Sequence, residues 1–288
     1  MMLTVDIVVA VRNEEQTLSA FIDSVRALRI KDVRLKMLFV EDGSTDKTIQ
    51  VLKDKSARSD DIAWFSVINT YGQGVALSFG IQQSNADALI TMDVDGSHPV
   101  SVASEMVLKY LEGYEIVQGN RIVYVRKSLY RELGSRLYFT IFTLLTGVAL
   151  HKQNVHFRLM SRQTAEQYTN NLRCWFSARL KKNILARRKI TYLDFEAPER
   201  HSGQSKFNFR RLFSYAYRSF ITLCGIWMFI LLNLLYFAAA LIVFRFLGIL
   251  PFLLLLLAGF LNIIYYIRTN SIVYSDEIRI LESHNIKK

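Results

Sequence analysis

Asp93 and Asp95 stand two residues apart at the end of the short apolar run Ala88–Met92. Carboxylates at that spacing in extended chain point to the same side and repel each other unless a cation lies between them. A divalent ion held by one or two carboxylates, with water and phosphate oxygens completing its shell, is the usual way to use such a pair with a nucleotide diphosphate. The plainer use is a solvated loop with Asp95 facing water. A second cluster, Glu41-Asp42-Gly43-Ser44-Thr45-Asp46, ends another apolar run. Asp42-Gly43 predicts a tight turn, and Ser44 or Thr45 a cap for the next helix, so this cluster fits either a ligand site or a turn with its N-cap. A third, Arg12-Asn13-Glu14-Glu15, follows the run Val5–Val11. Beyond these, residues 121–162 carry 8 Lys/Arg against 1 Asp/Glu, and residues 178–218 carry 11 against 3. Arginine forks at that density suit phosphate oxygens, which they bind bidentately while staying charged.

The elements that must position these groups alternate. Val5–Val11, Leu35–Val40, Ile62–Ile68, Ala88–Met92 and Glu115–Gln118 read as short buried strands. Between them, helical spacing covers Glu14–Leu28, Thr45–Lys55, Val75–Gln83 and Ser101–Leu111. Such alternation predicts an α/β fold, a mostly parallel sheet covered by helices on both faces. Ligands then belong at the carboxyl ends of the strands, where all three polar clusters fall.

Composition narrows the class. With 51% hydrophobic residues, 3 Pro and 13 Gly in 288 residues, disorder, collagen-like sequence and a disulfide scaffold are excluded. Cys174 and Cys224 are far apart and suggest neither a disulfide nor a metal site. The net charge of +11 is uneven, because residues 1–120 hold 11 Lys/Arg against 17 Asp/Glu. An acidic first half followed by a basic middle argues against nucleic acid as a partner and for an anion handled by the middle of the chain.

The last quarter supplies a membrane. No charge occurs from Ser219 to Phe244, nor from Phe246 to Ile267, with Arg245 and Gly248 marking a turn. Each run reaches the roughly 20 apolar residues a transmembrane helix needs, and both are apolar on every face. Arg200, Lys206, Arg210, Arg211 and Arg218 precede the first run, and Arg268, Arg279, Lys287 and Lys288 follow the second, so the positive-inside rule places both termini in the cytoplasm. The N-terminus does not read as a signal peptide, since Asp6 and Arg12 to Glu15 interrupt it. The uncharged stretch between Arg136 and His151 is too short to span and reads as an interfacial or buried helix, about residues 129–150. Residues 207–218 mix Phe207, Phe209, Phe213 and Tyr217 with Arg210, Arg211 and Arg218, the pattern of a helix lying among headgroups. The expected organisation is therefore a cytoplasmic domain over 1–206, an interface helix over 207–218, two spans over 219–267 and a cytoplasmic tail over 268–288.

Taken jointly, VVAVRNEE, VEDGSTDKT, Asn69-Thr70-Tyr71-Gly72-Gln73-Gly74 and MDVDGSHP resemble the nucleotide-diphospho-sugar domain of family 2 glycosyltransferases with the GT-A fold. Four motifs in order are far more specific than one. Gly119-Asn120-Arg121, Arg131-Glu132-Leu133-Gly134-Ser135, Phe157-Arg158-Leu159-Met160-Ser161-Arg162 and Arg200-His201-Ser202-Gly203-Gln204-Ser205-Lys206 narrow the likeness to the polyprenyl-phosphate glycosyltransferases, the group that includes dolichol-phosphate mannose synthase and the bactoprenol glucosyltransferases. The resemblance covers nearly the whole chain.

What it implies attaches to individual residues. Asp42 would hold the base or ribose, helped by Ala10, Arg12 and Glu14. Asp93 and Val94 would lie near the ribose, with Asp95 the direct ligand of Mg2+ or Mn2+ and Asp93 beside the metal. Arg121, Arg131 and Ser135 would take the lipid phosphate, and Arg200, Ser205 and Lys206 would approach the phosphates from a loop. Two departures stand out: Ser97 where many relatives have Gln, and His156, before Phe157-Arg158, where bactoprenol glucosyltransferases show Asp. The reading that results is an inverting, metal-dependent transfer from a UDP-sugar, glucose or another hexose, to undecaprenyl phosphate at the inner membrane. Homo-oligomers such as a tetramer, packed through the hairpins among membrane lipids, are part of what the resemblance implies. The alternatives are a glycosyltransferase with a different lipid or glycan acceptor and a catalytically silent subunit that binds nucleotide sugars or lipid phosphates.

Overall fold

The structure, a computed structural model, describes residues 2–57, 59–68, 72–122, 140, 154–169, 188–196, 230, 233–239, 241–242, 244–245, 248–249, 253, 255–261, 263–264 and 280–284. In chain order the elements are β1 (Leu3–Val11), α1 (Leu18–Ala27), β2 (Val33–Glu41), α2 (Thr48–Ser56), β3 (Ile62–Val67), α3 (Gln73–Gln83), β4 (Ala88–Thr91), α4 (Val100–Leu111), β5 (Ile116–Ile122), β6 (Asn154–Ser161), α5 (Arg162–Thr169), β7 (Ile190–Glu196) and β8 (Ile280–His284). The eight strands form one sheet in the order β7-β5-β6-β4-β1-β2-β3-β8.

β1 pairs in parallel with β2 and β4, β2 with β3, and β5 with β7. The expected parallel sheet is thus present but mixed, because β6 enters antiparallel between β4 and β5, and β8 runs antiparallel along β3. Helices cover both faces. On one, Leu18, Phe21, Ile22 and Val25 of α1 repeat at helical spacing and bury with Val102, Ala103, Met106 and Val107 of α4 against the sheet. On the other, Ala76, Leu77, Phe79 and Ile81 of α3 join Ala165 of α5 over Val8, Val40 and Leu89. α3 lies so close that a Cβ at Gly80 would come within 2.6 Å of Val8 Cγ1 and 2.9 Å of Val40 Cγ2.

Two local expectations are corrected. α1 starts at Leu18 rather than Glu14, since the Glu14 and Glu15 amides donate instead to Thr48 Oγ1 (2.9 Å) and Asp46 Oδ2 (3.2 Å) at the start of α2. Neither Ser44 nor Thr45 caps α2. Asp46 does that work, its Oδ1 accepting both the Thr48 amide (3.0 Å) and the Thr48 hydroxyl (2.5 Å).

The C-terminal part is described at scattered helical positions on both sides of Gly248, whose φ is +88°. A Cβ on Gly259 would lie 3.8 Å from the Tyr236 ring, so these two residues lie against each other. Leu234, Leu235, Ile242, Ile249 and Phe260 are all more than half exposed. Among the described residues no helix is long and apolar enough to cross a membrane. The expected interface helices at 129–150 (save Thr140, which is helical) and 207–218 lie outside the described residues. Residues 280–284, expected in a separate tail, return to the sheet as its edge strand, where the His284 ring stacks on Trp64 at 6.3 Å.

Candidate active site at the carboxyl ends of the strands

In a parallel βα succession every strand-to-helix connection falls at the same end of the sheet. The loops after β1, β2, β3 and β4 accordingly meet there, around a cleft of about 320 Å3 lined by Ala10, Val11, Arg12, Glu14, Asp42, Gly72, Gln73, Asp93, Val94 and Asp95. Of the expected donor-site residues, Ala10, Arg12, Glu14, Asp42, Asp93, Val94 and Asp95 line it, and Arg200, Ser205 and Lys206 lie outside the described residues. A larger hollow of about 730 Å3, bounded by Arg26, Arg29, Lys31 and Asp61 at the other end of β2, contains none of the candidates. It is a surface depression between α1 and the start of β2.

Hydrogen bonds tie the loops to one another. Asn13, at φ +56°, accepts the Thr45 amide on Oδ1 (2.8 Å) and donates its own amide to Ser44 Oγ (3.0 Å). Glu41 is fully buried, its carboxylate accepting the Ser44 amide and the Ser66 hydroxyl. Asp42, 3% exposed, takes the Val11 carbonyl on its amide (3.0 Å) and accepts the Gly72 amide on Oδ2 (2.8 Å). A buried carboxylate spanning the β1, β2 and β3 ends is more than a turn residue. Burial alone would raise the Asp46 carboxyl, but the Thr48 hydroxyl and the amides of Thr48 and Glu15 hold it below the ordinary aspartate value, keeping it charged beneath α2.

Asp93 and Asp95 follow β4, which ends at Thr91, and both open into the cleft. Gln73 Nε2 donates to Asp93 Oδ1 (2.6 Å), and the Ser97 amide donates to Asp95 Oδ1 (2.9 Å). Two hard oxygen donors oriented by neutral groups fit a Mg2+ or Mn2+ ion that takes its remaining ligands from water and phosphate. Among the described residues no group of three His, Cys, Asp or Glu side chains could hold a metal by itself. Ser97 is buried and contributes its amide to Asp95.

Two further candidate residues, His156 and Arg158, come from the antiparallel insertion. β6 registers Arg158 opposite Thr91 on β4 and Gln118 on β5, and the Thr91 hydroxyl donates to the His156 carbonyl (2.7 Å). His156 and Arg158 therefore sit beside the end of β4, and Arg121 lies on the neighbouring β5, opposite Phe195 of β7. Arg131, Ser135, Arg200, Ser205 and Lys206 lie outside the described residues.

Gly72, Gln73 and His98 were not singled out from sequence. Gly72, at φ +90°, precedes α3, and its place after a strand and before a helix was the available signal. His98 is buried, and its Nδ1 accepts the Asp93 amide (2.8 Å). Burial, opposed by the Asp95 charge and reinforced by that of Arg121, lowers its pKa to about 4, so the ring is neutral.

The description glycosyl transferase family 2 matches residues 6–169. An undecaprenyl-phosphate 4-deoxy-4-formamido-L-arabinose transferase of Photorhabdus laumondii is 27% identical over 74% of this chain and 66% of its own. A prophage bactoprenol glucosyl transferase homolog of Escherichia coli K12 is 25% identical over 74% of this chain and 70% of its own. A Bacillus subtilis protein named as a glycosyltransferase reaches 31% identity, and the chain spans about half of its length, 54%. Among solved structures, glucosyl-3-phosphoglycerate synthase of Mycobacterium tuberculosis superposes with a TM-score of 0.52 at 18% identity, over 76% of this chain and 78% of that one, in a complex with Mn2+, UDP and glucosyl-3-phosphoglycerate. The same enzyme with Mg2+ and UDP also gives 0.52, at 19% identity over 76% and 78%. At these identities the likeness shows the GT-A-like fold alone.

Proposed function

The chain belongs to glycosyltransferase family 2, and we propose that it transfers a hexose from a UDP-sugar to the phosphate of undecaprenyl phosphate, with inversion, at the cytoplasmic face of the inner membrane. The observation that carries this reading is the gathering of Ala10, Arg12, Glu14, Asp42, Asp93, Val94 and Asp95 around one cleft, with His156 and Arg158 on the adjoining strand. In this reading Asp42 and the β1 loop bind the uridine, and Asp93 and Asp95 face the pyrophosphate. A phosphate oxygen of the lipid attacks the anomeric carbon as the bond from that carbon to the UDP oxygen breaks, and the electron pair leaves with the β-phosphate. The nucleophile is already an anion, so no general base is required. The protein's contributions are alignment and stabilisation of charge that gathers on the departing group. Arg121 and Arg158, with Arg131 and Ser135 on the sequence evidence, take the acceptor phosphate, and Arg200, Ser205 and Lys206 close over the donor phosphates. A bound Mg2+ or Mn2+, held by Asp95 and Asp93, would neutralise the pyrophosphate as it leaves.

The acceptor is drawn from the relatives named for undecaprenyl phosphate and bactoprenol, and the donor from the UDP complexes of the structural neighbours. Anchoring is supported by the two uncharged runs and by the exposed apolar side chains of the helical hairpin, which water would not favour at that density. The pairing of β8 with β3 supports an even number of crossings, since chain on both sides of the hairpin then shares one sheet. A homo-oligomer packed through the hairpins extends the same reading.

The test is transfer of radiolabel from a panel of nucleotide sugars into lipid in membranes carrying the full chain, with and without added undecaprenyl phosphate. The expected result is a lipid-linked product that depends on one UDP-hexose. Label in glycan or protein alone would assign a different acceptor, and no transfer from any donor would leave a binding subunit as the better reading.

A further inference from the structure

His98 is tied to both sides of the reaction centre. Its Nδ1 accepts the Asp93 amide at 2.8 Å, which fixes the start of the loop carrying Asp93 and Asp95. Its ring lies flat on Phe157, with centroids 4.7 Å apart and planes 13° from parallel. Phe157 is the residue between His156 and Arg158. The edge of the stack is closed by Phe195, which meets His98 at 6.1 Å and 84° and Phe157 at 5.3 Å and 83°. There is no slack beneath the rings: a Cβ at Gly119 would lie 3.0 Å from Phe157 Cδ1, from the Phe157 carbonyl and from Phe195 Cε1. Offset and edge-on ring contacts of this kind favour one geometry over its neighbours. The chain thus holds the donor carboxylates and the β6 side chains on a single packed aromatic block.

We propose that His98 is a positioning residue for sugar transfer, an imidazole that locks the Asp93–Asp95 loop to the Phe157 strand and so sets the separation between donor and acceptor groups. This rests on the reading of the cleft as a sugar-transfer site. The imidazole touches neither substrate in that reading. Its loss therefore alters alignment more than binding, and rates fall steeply when reacting groups shift by about 1 Å.

The experiment uses the full chain in membranes and three variants. His98→Leu keeps apolar bulk and loses the acceptor. His98→Asn keeps an acceptor oxygen near the place of Nδ1 and a flat amide to lie against the Phe157 ring. Phe157→Leu keeps the hydrogen bond and loses the stack. With the UDP-hexose found active and undecaprenyl phosphate, His98→Leu and Phe157→Leu should each lower kcat about 10- to 100-fold while the donor KM changes less than about 3-fold. His98→Asn should recover kcat to within about 5-fold of the parent. Amide exchange at residues 93–98 should accelerate in His98→Leu and stay protected in His98→Asn. Wild-type kcat in His98→Leu, or equal losses in the Leu and Asn variants that follow only the amount of folded protein, overturns the proposal. If the parent transfers no sugar, the functional reading fails on its own, and the exchange experiment decides the clamp: unchanged protection in His98→Leu overturns it, selective loss at residues 93–98 upholds it.

Discussion

The β1–β4 part of the sheet, proposed as the donor half, and the β5–β7 part, proposed as the acceptor half, come together by different routes: residues of the first line the cleft, and those of the second lie beside the end of β4. In the donor half each strand is followed by a helix and the strands pair with one another in parallel, so the residues just after Val11, Glu41 and Thr91, and Gly72 before α3, arrive at one end of the sheet. In the acceptor half β6 is inserted antiparallel between β4 and β5, and His156 and Arg158 come beside the end of β4 only because of its register on Thr91 and Gln118. The first arrangement follows from connectivity. The second depends on pairing between residues more than thirty positions apart, with an aromatic block as its seam.

If the two halves divide the work as proposed, donor-half charges are indispensable and acceptor-half groups adjust the rate. Asp95→Asn removes a carboxylate that faces the pyrophosphate and should reduce transfer by at least about 10²–10³-fold, with EDTA silencing the parent to a similar degree. Radiolabel transfer checks both, and undiminished activity in EDTA would remove metal from the mechanism. His156→Ala should cost only about 10-fold, since an ionised acceptor phosphate needs no deprotonation, whereas Arg131→Ala should cost more through the lost phosphate contact. Initial rates from pH 5.5 to 8.5 separate them, and an inert His156→Ala protein at every pH would give the acceptor half an obligatory acid or base.

The seam itself is open to test through stability. Gly119→Ala places a methyl group 3.0 Å from both aromatic rings, so thermal unfolding should show a loss of about 1–3 kcal/mol, with part of the activity following. An unchanged melting curve would mean that the rings move apart at little cost. The smallest effect concerns His98 and pH. Its folded pKa of about 4 lies below its ordinary 6.5, so between those values the unfolded chain binds more protons. The stability due to keeping the ring neutral is complete above about pH 6.5 and is lost as the pH falls towards about 4. Relative to His98→Asn, which does not titrate, the parent should therefore lose Tm as the pH falls over that interval. Parallel melting curves would mean that His98 titrates alike in both states.

Much of the donor site was legible in the sequence because its signals are local. An apolar run of buried strand length, then Asp42-Gly43 or Asp93-Val94-Asp95, then helical spacing, places a carboxylate at a strand end whatever the rest of the chain does. Other features had no local signal. The Asp46 cap lay one or two residues beyond Ser44 and Thr45, and which oxygen takes the Thr48 amide depends on how the β1 loop packs on α2. Gln73 could be placed after β3, but its bond to Asp93 crosses from one βα unit to the next.

The sequence by itself determined the alternation of strands and helices, the strand ends that carry Asp42, Asp93 and Asp95, and the two uncharged runs, since each is written in residues that are neighbours along the chain. Tertiary structure alone decided that β6 would lie between β4 and β5, that β8 would return to the edge of β3, and that His98, Phe157, Phe195 and the bare backbone of Gly119 would meet. The physical reason is that strand register and ring packing are settled by competition among distant partners for one buried volume. A hydrophobic pattern reports which residues are buried but not which of the others they will be buried against.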